Sequence, residues 1–216
     1  MIISSSVPSS VQGVIFDLDG VLLDSSANME ASWKAVPEHL RKGVSYEHFR
    51  LAVGLPFKVA MKSLGLESAA QEIETFYRRV SLALQYLSVP FLGSNETLRE
   101  LREMGTSLVL FTSKDCERTN SIIENFGWSF DSILCPDPMI PGKPSGRQLI
   151  HFMEENGTAP SNYVYFGDSY HDFCAATDAE IPYRHCSWGF GERPQELNIS
   201  NQVDSFDALI KTVRDL

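Results

Sequence analysis

Short runs of β-branched and aromatic residues recur along the chain, and a stretch with helical spacing follows each of them. The runs are Val14 to Leu18, Ser107 to Thr112, Ser132 to Cys135, Tyr163 to Gly167, and Tyr183 to Ser187. Such alternation predicts an α/β fold, a parallel sheet with crossover helices. Helix punctuation agrees. Gly105 closes the Leu98, Leu101, Met104 stripe, and Gly127 closes Ile122, Ile123 and Phe126. Ser145 with Gln148 reads as a capping box ahead of Leu149, Ile150 and Met153.

Residues 25–92 break this rhythm, being long and helical in pattern with no strand signal. Ile73, Phe76, Tyr77, Val80 and Leu84 follow one helical face. The pattern predicts a helical domain, 25–92, inserted into an α/β core made of residues 11–24 and 93–216. There is no internal repeat, and the Ser-rich first ten residues read as a frayed end.

Composition narrows the class. The 216 residues are 43% apolar, enough for a substantial core. With 18 Lys plus Arg against 28 Asp plus Glu, a formal charge of -10 opposes binding to nucleic acid or an anionic membrane. No run approaches the roughly 18 apolar residues of a bilayer span, and MIISSSVPSS lacks the marks of a signal peptide. A cytoplasmic protein with neither partner is expected, either a monomer or a weak homodimer. Cys116, Cys135, Cys174 and Cys186 form no C-x-x-C and read as reduced core thiols. The histidines lack zinc-site spacing.

The sharpest chemical signal is Phe16-Asp17-Leu18-Asp19-Gly20 at the end of the first run. Period two turns Asp17 and Asp19 the same way, at the strand end where open α/β sheets bind ligands. Thr112 and Ser113 end the second run, where hydroxyls and free N–H groups can hold a phosphate oxygen. Lys143 lies in Pro141-Gly142-Lys143-Pro144, a loop stiffened by Pro and Gly. Gly167-Asp168-Ser169-Tyr170-His171-Asp172 ends the fourth run; Ser169 and Asp172 make a capping box, which leaves Asp168 without a partner. Singly, each site also reads as an ordinary turn, cap or solvated lysine.

Together the four sites resemble, in order and spacing, the motifs of the haloacid dehalogenase (HAD) superfamily, in its phosphoglycolate phosphatase-like branch with a small helical C1-type cap. FDLDGVLLDS resembles motif one, LVLFTSKD motif two, GKP motif three and YFGDSYHD motif four. Ser187-Trp188-Gly189-Phe190-Gly191, followed by Glu196-Leu197, resembles the branch's late W-G-[YF]-G signature. The likeness spans residues 12–210. It departs at Thr112-Ser113, where Thr-Asn is usual, and at Lys143-Pro144-Ser145-Gly146, where Lys-Pro-x-Pro is usual.

The resemblance implies a Rossmann-like (HAD-like) sheet with a helical cap, and a Mg²⁺-dependent phosphatase acting on a small phosphorylated metabolite. Asp17, Asp19, Asp168 and Asp172 against Lys143 leave a formal -3 in one pocket, which calls for a hard cation such as Mg²⁺. By the family pattern the metal ligands are Asp17, the Asp19 carbonyl and Asp168; Asp172 reaches the metal through water or holds Lys143. Asp17 would be the nucleophile, Asp19 the general acid and base, and Thr112, Ser113 and Lys143 the phosphate-binding groups. Gly54-Leu55-Pro56-Phe57 resembles the cap's specificity loop, Pro56 being suited to the first helical turn, and Arg50 and Lys58 flank it as candidates to meet the leaving group. The same fold also serves phosphomutases, phosphonate-cleaving relatives that use a cap lysine, for which Lys34, Lys42, Lys58 and Lys62 are available, and non-catalytic binding proteins.

Overall fold

The computed structural model describes residues 11–191 and 193–216; the first ten residues, where a frayed end is expected, and Glu192 lie outside the described residues. After β1 (Gly13–Phe16) come β2 (Leu23–Asp24), five helices and β3 (Val89–Pro90). Those helices are α1 (Ser26–Ala35), α2 (Glu38–Arg41), α3 (Tyr46–Arg50), α4 (Phe57–Ser63) and α5 (Ala70–Ala83). The chain continues through α6 (Ser94–Glu103), β4 (Ser107–Phe111), α7 (Cys116–Phe126), β5 (Ser132–Leu134) and α8 (Arg147–Asn156). It ends with β6 (Tyr163–Gly167), α9 (Tyr170–Asp178), β7 (Tyr183–Cys186), β8 (Gln202–Val203) and α10 (Phe206–Asp215).

Six strands form one parallel sheet in the order β5-β4-β1-β6-β7-β8. Its central strands are apolar on both sides, as a parallel sheet covered by helices requires. Val14, Phe16, Leu108, Leu110, Val164 and Phe166 face one cluster with Leu101 and Leu209. Ile15, Val109, Phe111, Tyr163 and Tyr165 face the other, with Leu149 and Ala176. Each fully buried large side chain contributes about 1.5–3 kcal/mol, so both layers hold the sheet in place. The helices between β2 and β3 have a third cluster of their own, built on Trp33, Phe49, Met61, Ile73 and Tyr77. Trp33 and Phe49 stack there with ring centroids 4.1 Å apart. Both connections to that insertion pass through the antiparallel pair β2 and β3, with Leu23 opposite Pro90 and Asp24 opposite Val89.

Several local expectations change. α8 starts after Gly146 with no side-chain cap, so Ser145 and Gln148 do not form a capping box. Gln148 is drawn inward, where its amide donates to the Cys135 carbonyl at 2.8 Å. Ser145 Oγ turns instead toward Asp178. Cys135 and Cys186 are buried thiols, but Cys116 is exposed at the first position of α7. Pro56 stands one residue ahead of α4 rather than in its first turn. Among the described residues no helix is long and apolar enough to cross a membrane.

Candidate active site

The site lies at the carboxyl ends of β1, β4 and β6, the central strands of the sheet. Asp17 follows β1 directly, its N–H still bonded to the Phe166 carbonyl at 3.0 Å. The chain then turns tightly, with the N–H groups of Leu22 and Leu23 both donating to the Leu18 carbonyl. Asp17 and Asp19 nevertheless line one cavity of about 120 Å³, together with Thr112, Ser113, Lys143 and Asp168. The sequence expectation for these six residues thus corresponds to a single place.

Lys143 organises the acidic half of the cavity. Its Nζ lies 2.7 Å from Asp17 Oδ1 and 2.6 Å from Asp172 Oδ1, with only 2% of the residue exposed. The ring centroids of Phe111 and Tyr165 stand 5.0 and 5.6 Å from the same ammonium. Burial alone would push Lys143 down, but Asp17 and Asp172 outweigh it and hold the ammonium above its ordinary range.

Asp172 is fully enclosed by donors. Its Oδ1 accepts from Lys143 and from the Tyr165 hydroxyl at 2.6 Å. Its Oδ2 accepts from the Ser169 hydroxyl and from the N–H groups of Ser169 and Asp168. The capping box expected from Ser169 and Asp172 is present at the start of α9. Burial acts to raise Asp172, yet Lys143, Ser169 and Tyr165 together bring it below the usual carboxylate range.

Asp168 and Asp17 behave in the opposite sense. Burial raises Asp168 to about 7, helped by Asp172 and opposed by the N–H groups of Gly191 and Phe190. Those N–H groups reach its Oδ2 at 3.1 and 2.7 Å. Burial likewise pushes Asp17 well up, Lys143 opposing and Asp172 and Asp168 adding. Asp17, Asp168 and Asp172 each offer a carboxylate oxygen, all within 4.8 Å of one another. Asp17 and Asp168 resist ionisation for want of positive charge, and with hard oxygen donors only the group matches a cation such as Mg²⁺.

The late Trp188-Gly189-Phe190-Gly191 segment proves to be the wall behind Asp168. A Cβ on Gly189 would fall 2.2 Å from Asp168 Cβ, so only glycine passes there. Trp188 ties this wall to the β1 loop, its Nε1 donating to the Val21 carbonyl at 3.0 Å. Gly189→Ala is therefore expected to cost about 1–3 kcal/mol and to weaken any cation effect on stability. Thermal melts with and without Mg²⁺ check this; an unchanged melt would contradict the contact.

On the other side stand groups that fall within the quoted motif segments but, Thr112 apart, have no role assigned to them from sequence. Lys114 Nζ lies 3.0 Å from Asp19 Oδ2, its side chain 8% exposed, so the nearest charge to Asp19 is a cation. Burial lowers Lys114 even against the pull of Asp19. Ser25 would be the cap of α1 but makes no cap bond, because its Oγ donates to Asp19 Oδ1 at 2.5 Å. Tyr165, read from sequence only as a strand residue, supplies the hydroxyl on Asp172. Thr112 Oγ1 accepts the Lys114 N–H, shaping the turn into α7.

The helical insertion closes over this cavity. Ser113 Oγ donates across to the Gly54 carbonyl at 2.9 Å. Gly54 has φ +95°, and a Cβ there would stand 3.0 Å from His171 Nδ1, so the loop reaches the core at this point. Arg50 lines the cavity, whereas Lys58 is exposed and does not. Lys34, Lys42 and Lys62 are also exposed and absent from the lining, which removes the lysine a phosphonate-cleaving relative would need.

The family description "haloacid dehalogenase-like hydrolase" matches residues 14–184, which include all four candidate sites. The chain belongs to the haloacid dehalogenase-like hydrolase family. Phosphoglycolate phosphatase of Agrobacterium fabrum is 28% identical over 207 residues, covering 90% of this chain and 89% of that protein. A protein named tyrosine-protein kinase in Mycobacterium tuberculosis is 28% identical over 218 residues, covering 98% of this chain and 74% of its own length. The structure of a predicted phosphatase from Clostridium acetobutylicum superposes with a TM-score of 0.80 at 25% identity, covering 96% of this chain and all of that one. Since relatives at equal identity carry different names, the chemistry of this haloacid dehalogenase-like hydrolase has to be argued from its own residues.

Proposed function

We propose that this chain is a Mg²⁺-dependent phosphatase that hydrolyses a small phosphorylated metabolite, of the phosphoglycolate or sugar phosphate kind, through an aspartyl-phosphate on Asp17. It is a phosphoric monoester hydrolase of its family. The observation that carries this reading is the arrangement around Asp17: a carboxylate paired to Lys143, beside Asp168, with a second acid, Asp19, lining the same cavity. Two acids suit two jobs, attack on phosphorus and proton transfer to the leaving oxygen.

In the first step an Asp17 oxygen attacks phosphorus in line as the ester P–O bond breaks, and Asp19 gives its proton to the departing alkoxide. In the second, water attacks the same phosphorus, Asp19 takes a proton from it, and the bond to Asp17 breaks, returning the carboxylate and releasing phosphate. Lys143, Thr112 and the N–H groups of the Ser113 turn bear the charge on the equatorial oxygens. Asp17, Asp168 and the Asp19 carbonyl would hold Mg²⁺, which when bound supplies positive charge to the phosphate and to Asp17. Five donors already fill the two oxygens of Asp172, so its part is to position Lys143. Residues 25–92 serve as the cap that shuts out water and meets the leaving group, with residues 11–24 and 93–216 as the core.

The test is phosphate release from a panel of phosphorylated metabolites, with Mg²⁺ or with EDTA. Turnover that needs Mg²⁺ supports the reading; none on any phosphomonoester, or turnover indifferent to EDTA, would sink it. A second expectation follows from Asp168. Its pKa rises from 3.8 to about 7 on folding, so the folded protein holds a proton there that the unfolded chain has lost, and metal-free stability falls as pH rises through that window. Binding Mg²⁺ requires the ionised acid. Saturating Mg²⁺ should therefore raise Tm by several degrees at about pH 8 and by little at about pH 5.5. Equal shifts at both would contradict a metal site on Asp168.

A further inference from the structure

The two lysines in the cavity are both buried but unequally matched. Lys143 meets two carboxylates, at 2.7 and 2.6 Å, and two aromatic faces. Lys114 meets one, Asp19 at 3.0 Å, and no second acidic partner occurs among the described residues. An ammonium has three donors, and one carboxylate seldom compensates its removal from water. Arg118, one helical turn further along, lines the same cavity, but its guanidinium is engaged by Asp115 at 2.6 Å and Ser81 at 3.0 Å. Lys114 is thus the buried cation of this wall that sits directly on the proton-transfer acid, Asp19, and it keeps donors beyond that one contact.

We propose that Lys114 anchors an anionic group carried by the leaving half of the substrate, making it a specificity-determining residue for phosphomonoesters of short hydroxy acids. The inference rests on the phosphatase reading and adds the residue that selects the leaving group. An ester oxygen hydrogen-bonded to Asp19 at about 2.7 Å lies within roughly 6–8 Å of Lys114 Nζ. A carboxylate two or three bonds beyond that oxygen spans most of the gap and leaves a hydrogen-bond length to the ammonium. A leaving group ending in a hydroxyl makes no ion pair there, and a long one exceeds a cavity of about 120 Å³.

The experiment compares 2-phosphoglycolate with 2-hydroxyethyl phosphate, two leaving groups of equal length that differ in charge, in wild type, Lys114→Met and Lys114→Arg. Loss of the hold on Asp19 lowers both substrates by a common factor, so the quantity that matters is the ratio of their kcat/KM values. In Lys114→Met that ratio should fall by about 10-fold or more, mainly through KM for 2-phosphoglycolate. Lys114→Arg should recover part of it. An unchanged ratio in Lys114→Met would overturn the proposal. A measurement on wild type alone guards against a variant that does not fold: glycolate should inhibit p-nitrophenyl phosphate hydrolysis competitively and ethylene glycol should not, whereas equal behaviour of the two would also overturn it. If wild type hydrolyses no phosphomonoester of the wider panel, the phosphatase reading itself has failed and takes this inference with it; turnover of other phosphomonoesters with none of 2-phosphoglycolate would overturn this inference alone.

Discussion

Asp17→Asn is expected to lower Mg²⁺-dependent phosphate release by about 10⁴-fold or more, the loss typical of removing a nucleophile. The amide cannot form the acyl-phosphate, while the other groups of the cavity remain. The fold should survive. Burial holds Asp17 well above the ordinary carboxylate range, which means that its ionised form is disfavoured in the folded protein. A neutral amide of the same shape removes that cost but leaves Lys143 with Asp172 as its one carboxylate, so the two effects oppose and metal-free Tm at neutral pH should stay within about 5 °C of wild type. Steady-state assays on the best panel substrate, paired with thermal melts, check both halves. Activity within tenfold of wild type would remove Asp17 from the mechanism, and a collapsed Tm would make the loss uninterpretable as chemistry.

Lys143→Met should show the largest effect on stability together with a severe loss of turnover. It leaves Asp17 and Asp172, both buried, without their shared cation. Stranding the ionised Asp172 in this way costs about 3–5 kcal/mol. The pH dependence has a definite sign. In wild type, Lys143 keeps its charge across the neutral range and Asp172 stays ionised, so the pairing is lost only as pH falls through the carboxylate range or rises above that of lysine. In the variant both acids rise in pKa, the folded state takes up protons the unfolded state lacks, and stability increases as pH falls from about 8 toward 5. Denaturant unfolding at the two ends of that range measures it. Turnover should drop by about 10³-fold, because a fixed positive charge opposite the transferring phosphoryl group is gone. A variant as stable as wild type at both pH values would show that Lys143 does not hold the two acids.

Much of this site was legible because Asp17, Thr112 and Asp168 stand at the ends of strands long enough to show themselves, whereas Lys143 lies in the loop after β5 and Asp172 in α9. β1, β4 and β6 carry runs of apolar residues, and Asp17, Thr112 and Asp168 follow them directly. Elements of two residues, β2, β3 and β8, are too short for period two to appear, so neither the antiparallel pair β2 and β3 nor the sheet's last strand shows in the sequence. Ser145 with Gln148 had the spacing of a cap, but a buried carbonyl at Cys135 competes for the glutamine and wins. Lys114, Ser25 and Tyr165 were missed for a common reason. Each gains its role from a partner brought near by the fold, Asp19 for the first two and Asp172 for the third, and a lysine in a turn or a tyrosine in a strand gives no local sign of it. The Trp188 segment was recognised as a signature, whereas its physical cause, glycines pressed against Asp168, appears only in three dimensions.

Under the proposed mechanism the phosphoryl group changes hands twice, once to Asp17 and once to water. The stereochemical course at phosphorus tests it most directly, using a phosphomonoester made chiral with oxygen isotopes and hydrolysed in isotopically labelled water. Each in-line displacement inverts the centre, so two in succession predict net retention of configuration in the released phosphate. Net inversion would mean that water attacks the substrate directly, and the aspartyl-phosphate on Asp17 would have to be abandoned.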